Sequence, residues 1–248
     1  MIKMLVALPL LFATTLVFAQ AQNLSTGPNN VYIEQIGNTN TVTIEQVGGT
    51  NRVGGIANAT PSNTNYATIT GSSNVLTLTQ TGDNNLNQYN VKGNNNVYTN
   101  TTTGNGNKSK LTVGDANNAN NLRNLVTETI TGNDNTIIQN IIGNDITSTL
   151  AITGSTNEVT KDLKSTNGTS DISITGSNNK LDIEQFDVAG ASGHYLKQVI
   201  AGNYNSVITQ QQGTNDTTVD IKTTGDHNTI TVRTSSSTIA NPRTAVVR

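Results

Sequence analysis

Gln35-Ile-Gly37-Asn-Thr-Asn40-Thr-Val42-Thr-Ile44-Glu-Gln46-Val-Gly48-Gly-Thr-Asn51 contains the start of one unit written twice. A glycine (Gly37, Gly48) is followed three residues on by an asparagine (Asn40, Asn51). In the first copy apolar side chains follow at plus five and plus seven (Val42, Ile44), and a glutamine at plus nine (Gln46). From Asn40 to Gln46 the marked positions alternate strictly, which is the period of a β-strand and not of a helix. The glycine can take positive φ and so supplies a turn. Eleven residues therefore predict one turn and one strand.

The same spacing runs almost to the end of the chain. Turn glycines recur through Gly71, Gly82, Gly93 and Gly104 as far as Gly225, mostly ten to twelve residues apart. Most have an asparagine three residues later, including Asn30 after Gly27, Asn74, Asn85 and Asn228. The apolar pair recurs as Leu76 and Leu78, Leu181 and Ile183, and Ile230 and Val232, and the plus-nine position is a glutamine (Gln80, Gln185, Gln211) or an isoleucine (Ile141, Ile152, Ile174). Two longer steps read as doubled units: Gly154 to Gly176, with Ser165 in place of the middle glycine, and Gly48 to Gly71, which contains Pro61. Interruptions are expected at Asn117 to Ile130, which includes Arg123 and Glu128, and at Phe186 to Tyr195, read as a loop carrying His194. His227 reads as a turn residue.

A strand laid on its equivalent one coil away turns these positions into ladders of Leu, Ile and Val flanked by Asn and Gln, whose stacked amides hydrogen-bond to one another. The expected fold class is all-β, a flat two-sided β-solenoid of 22-residue coils with two strand-turn units each and amyloid-like stacking. Some ten coils at about 4.8 Å make a rod on the order of 50 Å long. A three-sided helix is the alternative, and an eleven-residue period favours two sides. Each coil is too small to bury its own core, so stability comes from neighbouring coils.

Composition agrees with a repeat fold. The 248 residues are 33% hydrophobic, 4% aromatic and 12% charged, too little for a conventional core, while a net charge of -2 lacks the repulsion that keeps a disordered chain soluble. That charge gives no electrostatic case for nucleic acid or an anionic membrane. No cysteine is present, so no disulfide framework or thiol chemistry is available. Residues 1–19 carry Lys3, an apolar run from Met4 to Phe18 and small residues at Ala19 and Ala21, the pattern of a signal peptide, and predict a secreted chain. Repeats are expected over residues 20–234, and 235–248 is read as a C-terminal tail or cap.

The pattern at Gln35 to Gln46, with Gln80-Thr-Gly82-Asp-Asn-Asn85 and Gln211-Gln-Gly213 as further fragments, resembles the curlin repeat of bacterial curli fibre subunits. The resemblance implies a secreted two-sided β-solenoid that polymerises end to end as functional amyloid, in an extracellular fibre or at the cell surface, for biofilm matrix and adhesion. It also implies partners: further copies of the chain, a nucleator or related subunit, and an outer-membrane secretion pore. The expected self-assembly ladder is Gln35, Asn40, Val42, Ile44, Gln46, Asn51, Asn74, Gln80 and Asn85, with Gly37, Gly48, Gly71 and Gly82 as turns. Open strand ends make polymerisation physically natural, since unpaired N–H and C=O groups template another chain unless they are capped or charged. Lys161, Asp162, Lys164 and Arg123 are candidate gatekeeper charges, or simply solvated surface.

The same residues bear on other functions. His194 and His227 have no ligand-like spacing, and no nucleophile motif or carboxylate cluster is visible, so no enzyme chemistry, cofactor or metal is expected. Gly132-Asn-Asp-Asn and Gly82-Asp-Asn-Asn resemble turns of calcium β-rolls, which use a nine-residue period with a fixed Asp; here the period is eleven and Asp reads as a turn former. Thr41-Val-Thr43, Thr68-Ile-Thr70 and Thr77-Leu-Thr79 put hydroxyl rows outward, which an adhesin or a glycan- or ice-binding module could use, although Thr also suits any exposed strand. A rod serving as a fibre spacer completes the alternatives.

Overall fold

The computed structural model describes residues 21–23, 29–55, 66–114, 122–187, 193–213, 216–236 and 244–247. The expected signal peptide lies outside these residues. Every described element is a β-strand or a turn, and the strands stack as a solenoid of about 8 turns with coils of about 23 residues. The two-sided expectation holds: successive strands alternate between two parallel sheets, one of ten strands and one of eleven.

The first sheet runs through Thr41–Val47, Val75–Thr81, Val97–Thr103, Leu125–Thr131, Thr147–Thr153, Thr169–Thr175, Tyr195–Ala201 and Thr218–Thr224. The second carries the strands between them, from Leu86–Lys92 and Lys108–Val113 to Ser206–Gly213 and Thr229–Ser236. Pairing joins residues 22 apart where the coils are regular, as in Leu125↔Thr147 and Thr136↔Glu158. Elsewhere the offset grows, to 34 at Thr41↔Val75 and 28 at Val97↔Leu125. These insertions use residues without adding coils; at about 4.8 Å between neighbours, the ten strands of the first sheet span about 43 Å.

Three local expectations change. Gly48 to Gly71 is not a doubled unit. Arg52–Gly54 and Ala67–Thr70 pair side by side with the same strand, Leu86–Lys92, and together fill one rung, with the extra residues inserted in its middle. Asn117 lies outside the described residues, while Asn124 takes the ladder place and Leu125–Thr131 is a regular strand containing Glu128. Phe186 belongs to the strand Lys180–Asp187, while His194 and Tyr195 are back in register with the first sheet. Stacking also reaches past residue 234, since Thr244–Val247 pairs with Thr218–Thr224.

The turns explain the Gly-x-x-Asn signature. The turn glycines have φ between +105° and +140° at Gly37, Gly48, Gly71, Gly82, Gly104, Gly132, Gly154 and Gly225. A Cβ on Gly132 would lie 1.9 Å from the carbonyl oxygen of Gly154, one coil on, so stacking as well as dihedral angle demands glycine. The residue before the asparagine is left-handed too, including β-branched Thr39, Thr50 and Thr156 near +57°, an unfavourable state for such side chains. Coil-to-coil backbone bonds hold it there, as from Thr156 N–H to Asn133 O at 2.9 Å. Ser165 replaces the glycine between Gly154 and Gly176 and pairs with Gly143.

Inward positions are buried as the alternation requires: Val42, Ile44, Leu76, Leu78, Ile141, Ile152, Ile174, Leu181 and Ile183 are each 3% exposed or less. The apolar core falls into two clusters, one including Leu78, Tyr89 and Val126, the other Leu150, Ile172 and Ile221.

Candidate functional site

One asparagine column runs the length of the second sheet: Asn29, Asn51, Asn85, Asn107, Asn135 and Asn157, then Asn179, Asn205 and Asn228. Asn135 shows the repeating geometry. Its Nδ2 donates to Asn107 Oδ1 at 3.0 Å and to the Gly154 carbonyl at 2.8 Å, while its Oδ1 accepts the Asn157 backbone N–H and Nδ2, both at 3.0 Å. Each side chain thus links three coils and caps the glycine turn above it, which is why the repeat needs Asn three residues after Gly. Asn29, and not Asn30, begins the column, while strand pairing keeps the 22-residue offset Asn30↔Arg52.

The matching column of the first sheet is Asn40, Asn74, Asn96 and Asn124, and then it changes chemistry. Ile146, Gly168, His194 and Thr217 take the next four places. His194 is buried at the ladder place just before the strand Tyr195–Ala201. Its Nδ1 accepts the Thr217 backbone N–H at 3.2 Å, and Nε2 faces the Phe186 carbonyl at 3.2 Å, which fits a neutral imidazole protonated on Nε2. His227 is a turn residue as expected, with φ of 60°, stacked on Tyr204 at 5.0 Å.

The proposed glutamine ladder is shorter than the asparagine one. Gln46 Nε2 donates to Gln80 Oε1 at 2.6 Å, and both are buried, but Thr102 takes the next place. Gln35 is only half-buried and stands opposite Ile69. Gln185 and Gln211 stack in register without an amide bond between them; Gln211 Nε2 turns to Thr217 instead. Of the expected ladder residues, the structure therefore joins Asn40 to Asn74, Asn51 to Asn85 and Gln46 to Gln80, with Val42 and Ile44 beneath them.

A buried polar group lies in the middle coils. Glu128, 3% exposed, accepts from Asn100 Nδ2 at 2.6 Å and from Gln139 Nε2. Burial raises its pKa, while the hydrogen bonds from Gln139 and Asn100 and the charge of Lys161 act against that rise. Lys161 is fully buried one coil further on, stacked on Gln139 in register, and its Nζ has no hydrogen-bond partner among the described residues. Burial lowers its pKa to about 7, against the opposing pull of Glu128 and Asp171. Lys161 is therefore neither solvated surface nor a gatekeeper at an end. Asp162 and Lys164 point outward from the same central strand, and Arg123 pairs with Asp145 at 2.6 Å across two turns. Sequence parity makes both burials readable afterwards: Lys161 is seven residues after Gly154, and Glu128 four before Gly132, as Leu78 is before Gly82.

The ends of the stack complete the site. In the first sheet Ala21–Asn23 pairs only with Thr41–Val47 among the described residues, and Thr244–Val247 only with Thr218–Thr224. In the second, Asn30–Val31 and Ile33–Ile36 close one end and Thr229–Ser236 the other. At Asn228 the column stops with bonds to Asn205 alone among the described residues; its Oδ1 and second Nδ2 hydrogen are the groups that Asn135 uses toward its next coil. The chain matches no family model, no curated protein and no solved structure.

Proposed function

We propose that the chain is a curlin-like secreted subunit that polymerises head to tail into extracellular amyloid-type fibres for matrix building and adhesion. The observation that carries this reading is the unidirectional asparagine column of the second sheet. From Asn85 to Asn179 each member uses the same donors and acceptors, so the first coil of a second copy can continue what Asn228 leaves open. Such a contact joins unlike ends and does not close, and so gives a filament and not a dimer. The paired-on-one-side strands add backbone hydrogen bonds to the same joint. The partner is a second copy of the chain, with a nucleating subunit and an export pore as the resemblance implies. The ladder residues act by stacking and no bond is made or broken.

The test is assembly from denaturant, followed by thioflavin fluorescence with and without seeds and by fibre diffraction. Seedable fibres with a repeat of about 4.8 Å along the fibre axis are expected. A folded monomeric rod that ignores seeds at high concentration overturns the proposal.

A further inference from the structure

The outward face of the first sheet is a lattice of threonines. Thr77, Thr99, Thr127 and Thr149 stand in register in one column, Thr79, Thr101 and Thr129 in the next, and Thr81, Thr103, Thr131, Thr153 and Thr175 in the third. All are half-buried or exposed. Val75, Val97 and Leu125 form the column beside them, with Val97 37% and Leu125 44% exposed. Over these four coils the face has no charge. Charges bound it instead: Glu45 pairs with Thr79 at one end and Asp171 with Thr149 at the other.

Strand propensity does not account for this. The second sheet of the same coils stacks with the same offsets, and its outward residues are likewise half-buried or exposed. There the outward positions include Lys92, Lys108, Lys110, Glu158, Asp162 and Lys164. A preference of Thr for exposed strands would act on both faces alike. The lattice is a property of one face.

We infer that this face binds ice. Columns repeat about every 4.8 Å along the rod, and alternate residues about every 6.6 Å along a strand, close to the two repeats of oxygen atoms on a prism face of hexagonal ice. Thr is stiff at χ1, so each hydroxyl and methyl keeps its place with little entropy left to lose on binding. Each hydroxyl contributes weakly, but a rigid array engages many lattice sites at once, and the linked contacts multiply. The methyls and the fringe of Val75, Val97 and Leu125 exclude loosely held water between the hydroxyls. Charged side chains would hold strongly oriented hydration shells that do not fit a crystal, and none stands on the array. The inference is independent of polymerisation, since the face lies along the side of the rod and not at its ends.

Thermal hysteresis and ice-crystal shaping by the full chain test it, on the soluble protein and on any assembled form. The wild type is expected to shape crystals and to show a freezing gap. Thr101→Lys, at the centre of the array, abolishes both, as does Thr101→Tyr, a neutral strand-favouring replacement that keeps the fold. Thr112→Lys, outward on the second sheet, leaves both unchanged. Unchanged thermal melts of the variants separate a lost surface from a lost fold. A wild type without hysteresis or shaping overturns the inference, as does equal loss from Thr101→Lys and Thr112→Lys. Capture on particles of chitin or cellulose without any effect on ice overturns it too, and assigns the face to a crystalline glycan.

Discussion

Removing Asn135 by Asn135→Ala isolates what one rung of the long asparagine column contributes. The substitution deletes four side-chain hydrogen bonds, to Asn107 Oδ1 and Gly154 O and from the N–H and Nδ2 of Asn157. Asn157 and Asn135 are both buried, so water does not readily replace the lost partners. Two donors on Asn157 are left unsatisfied, at about 1–3 kcal/mol each, which gives a loss of about 2–6 kcal/mol. Asn228→Ala at the column's end removes only the bonds to Asn205 and strands no donor of a following coil, so about 1 kcal/mol is expected there. Urea unfolding of the monomer at fixed pH measures both, read from the shift in midpoint at unchanged slope. In assembled fibres the gap between the two variants closes, because Asn228 then has a coil beyond it. A loss below about 1 kcal/mol for Asn135→Ala, or equal losses for the two variants in the monomer, refutes the reasoning.

The remaining predictions concern the turns, the core and assembly. Gly132→Ala puts a Cβ 1.9 Å from the Gly154 carbonyl at a φ of +129°, so we expect loss of hydrogen-exchange protection in the coils on both sides, whereas a protected exchange pattern like the wild type's excludes a steric role for the glycine. Lys161 holds its proton less tightly when folded, about 7, than when unfolded. The unfolded chain therefore binds more protons between about 7 and 10.4, and stability rises with pH across that window by up to about 1.4 kcal/mol per unit. Lys161→Met should flatten this rise in urea melts at pH 7, 8 and 9, and a profile parallel to the wild type's counts against it. Glu128, with its pKa raised, contributes in the opposite sense: its share is present at low pH and is lost as pH rises through that raised value. Among the described residues the buried Tyr98 hydroxyl has no hydrogen-bond partner, so Tyr98→Phe should leave stability unchanged or raise it by about 1 kcal/mol; a clear loss would reveal a partner. Replacing Gln46 and Asn51 together by Ala should lengthen the lag of fibre formation, and an unchanged lag and seeding response speaks against the ladder's part in assembly.

The sequence by itself determined the fold class, the coil and the inward face. Its period of two between Asn40 and Gln46 allows only a strand, and its eleven-residue repeat of glycine and asparagine sets where the chain turns. Each of these signals is local, readable within one unit. What only the tertiary structure decided is which units stand on which. The offset between paired strands absorbs insertions, so residues far apart in sequence, such as Thr41 and Val75, become neighbours 34 positions apart while Gly48 to Gly71 collapses into one split rung. That assignment makes Asn29 a ladder residue, puts His194 in a place built for asparagine, and buries Lys161 near Glu128. It also gathers threonines from successive coils onto one face and leaves charges on the other. Backbone pairing between parallel strands is indifferent to the length of the loop that joins them, so a sequence repeat fixes the coil but not the columns.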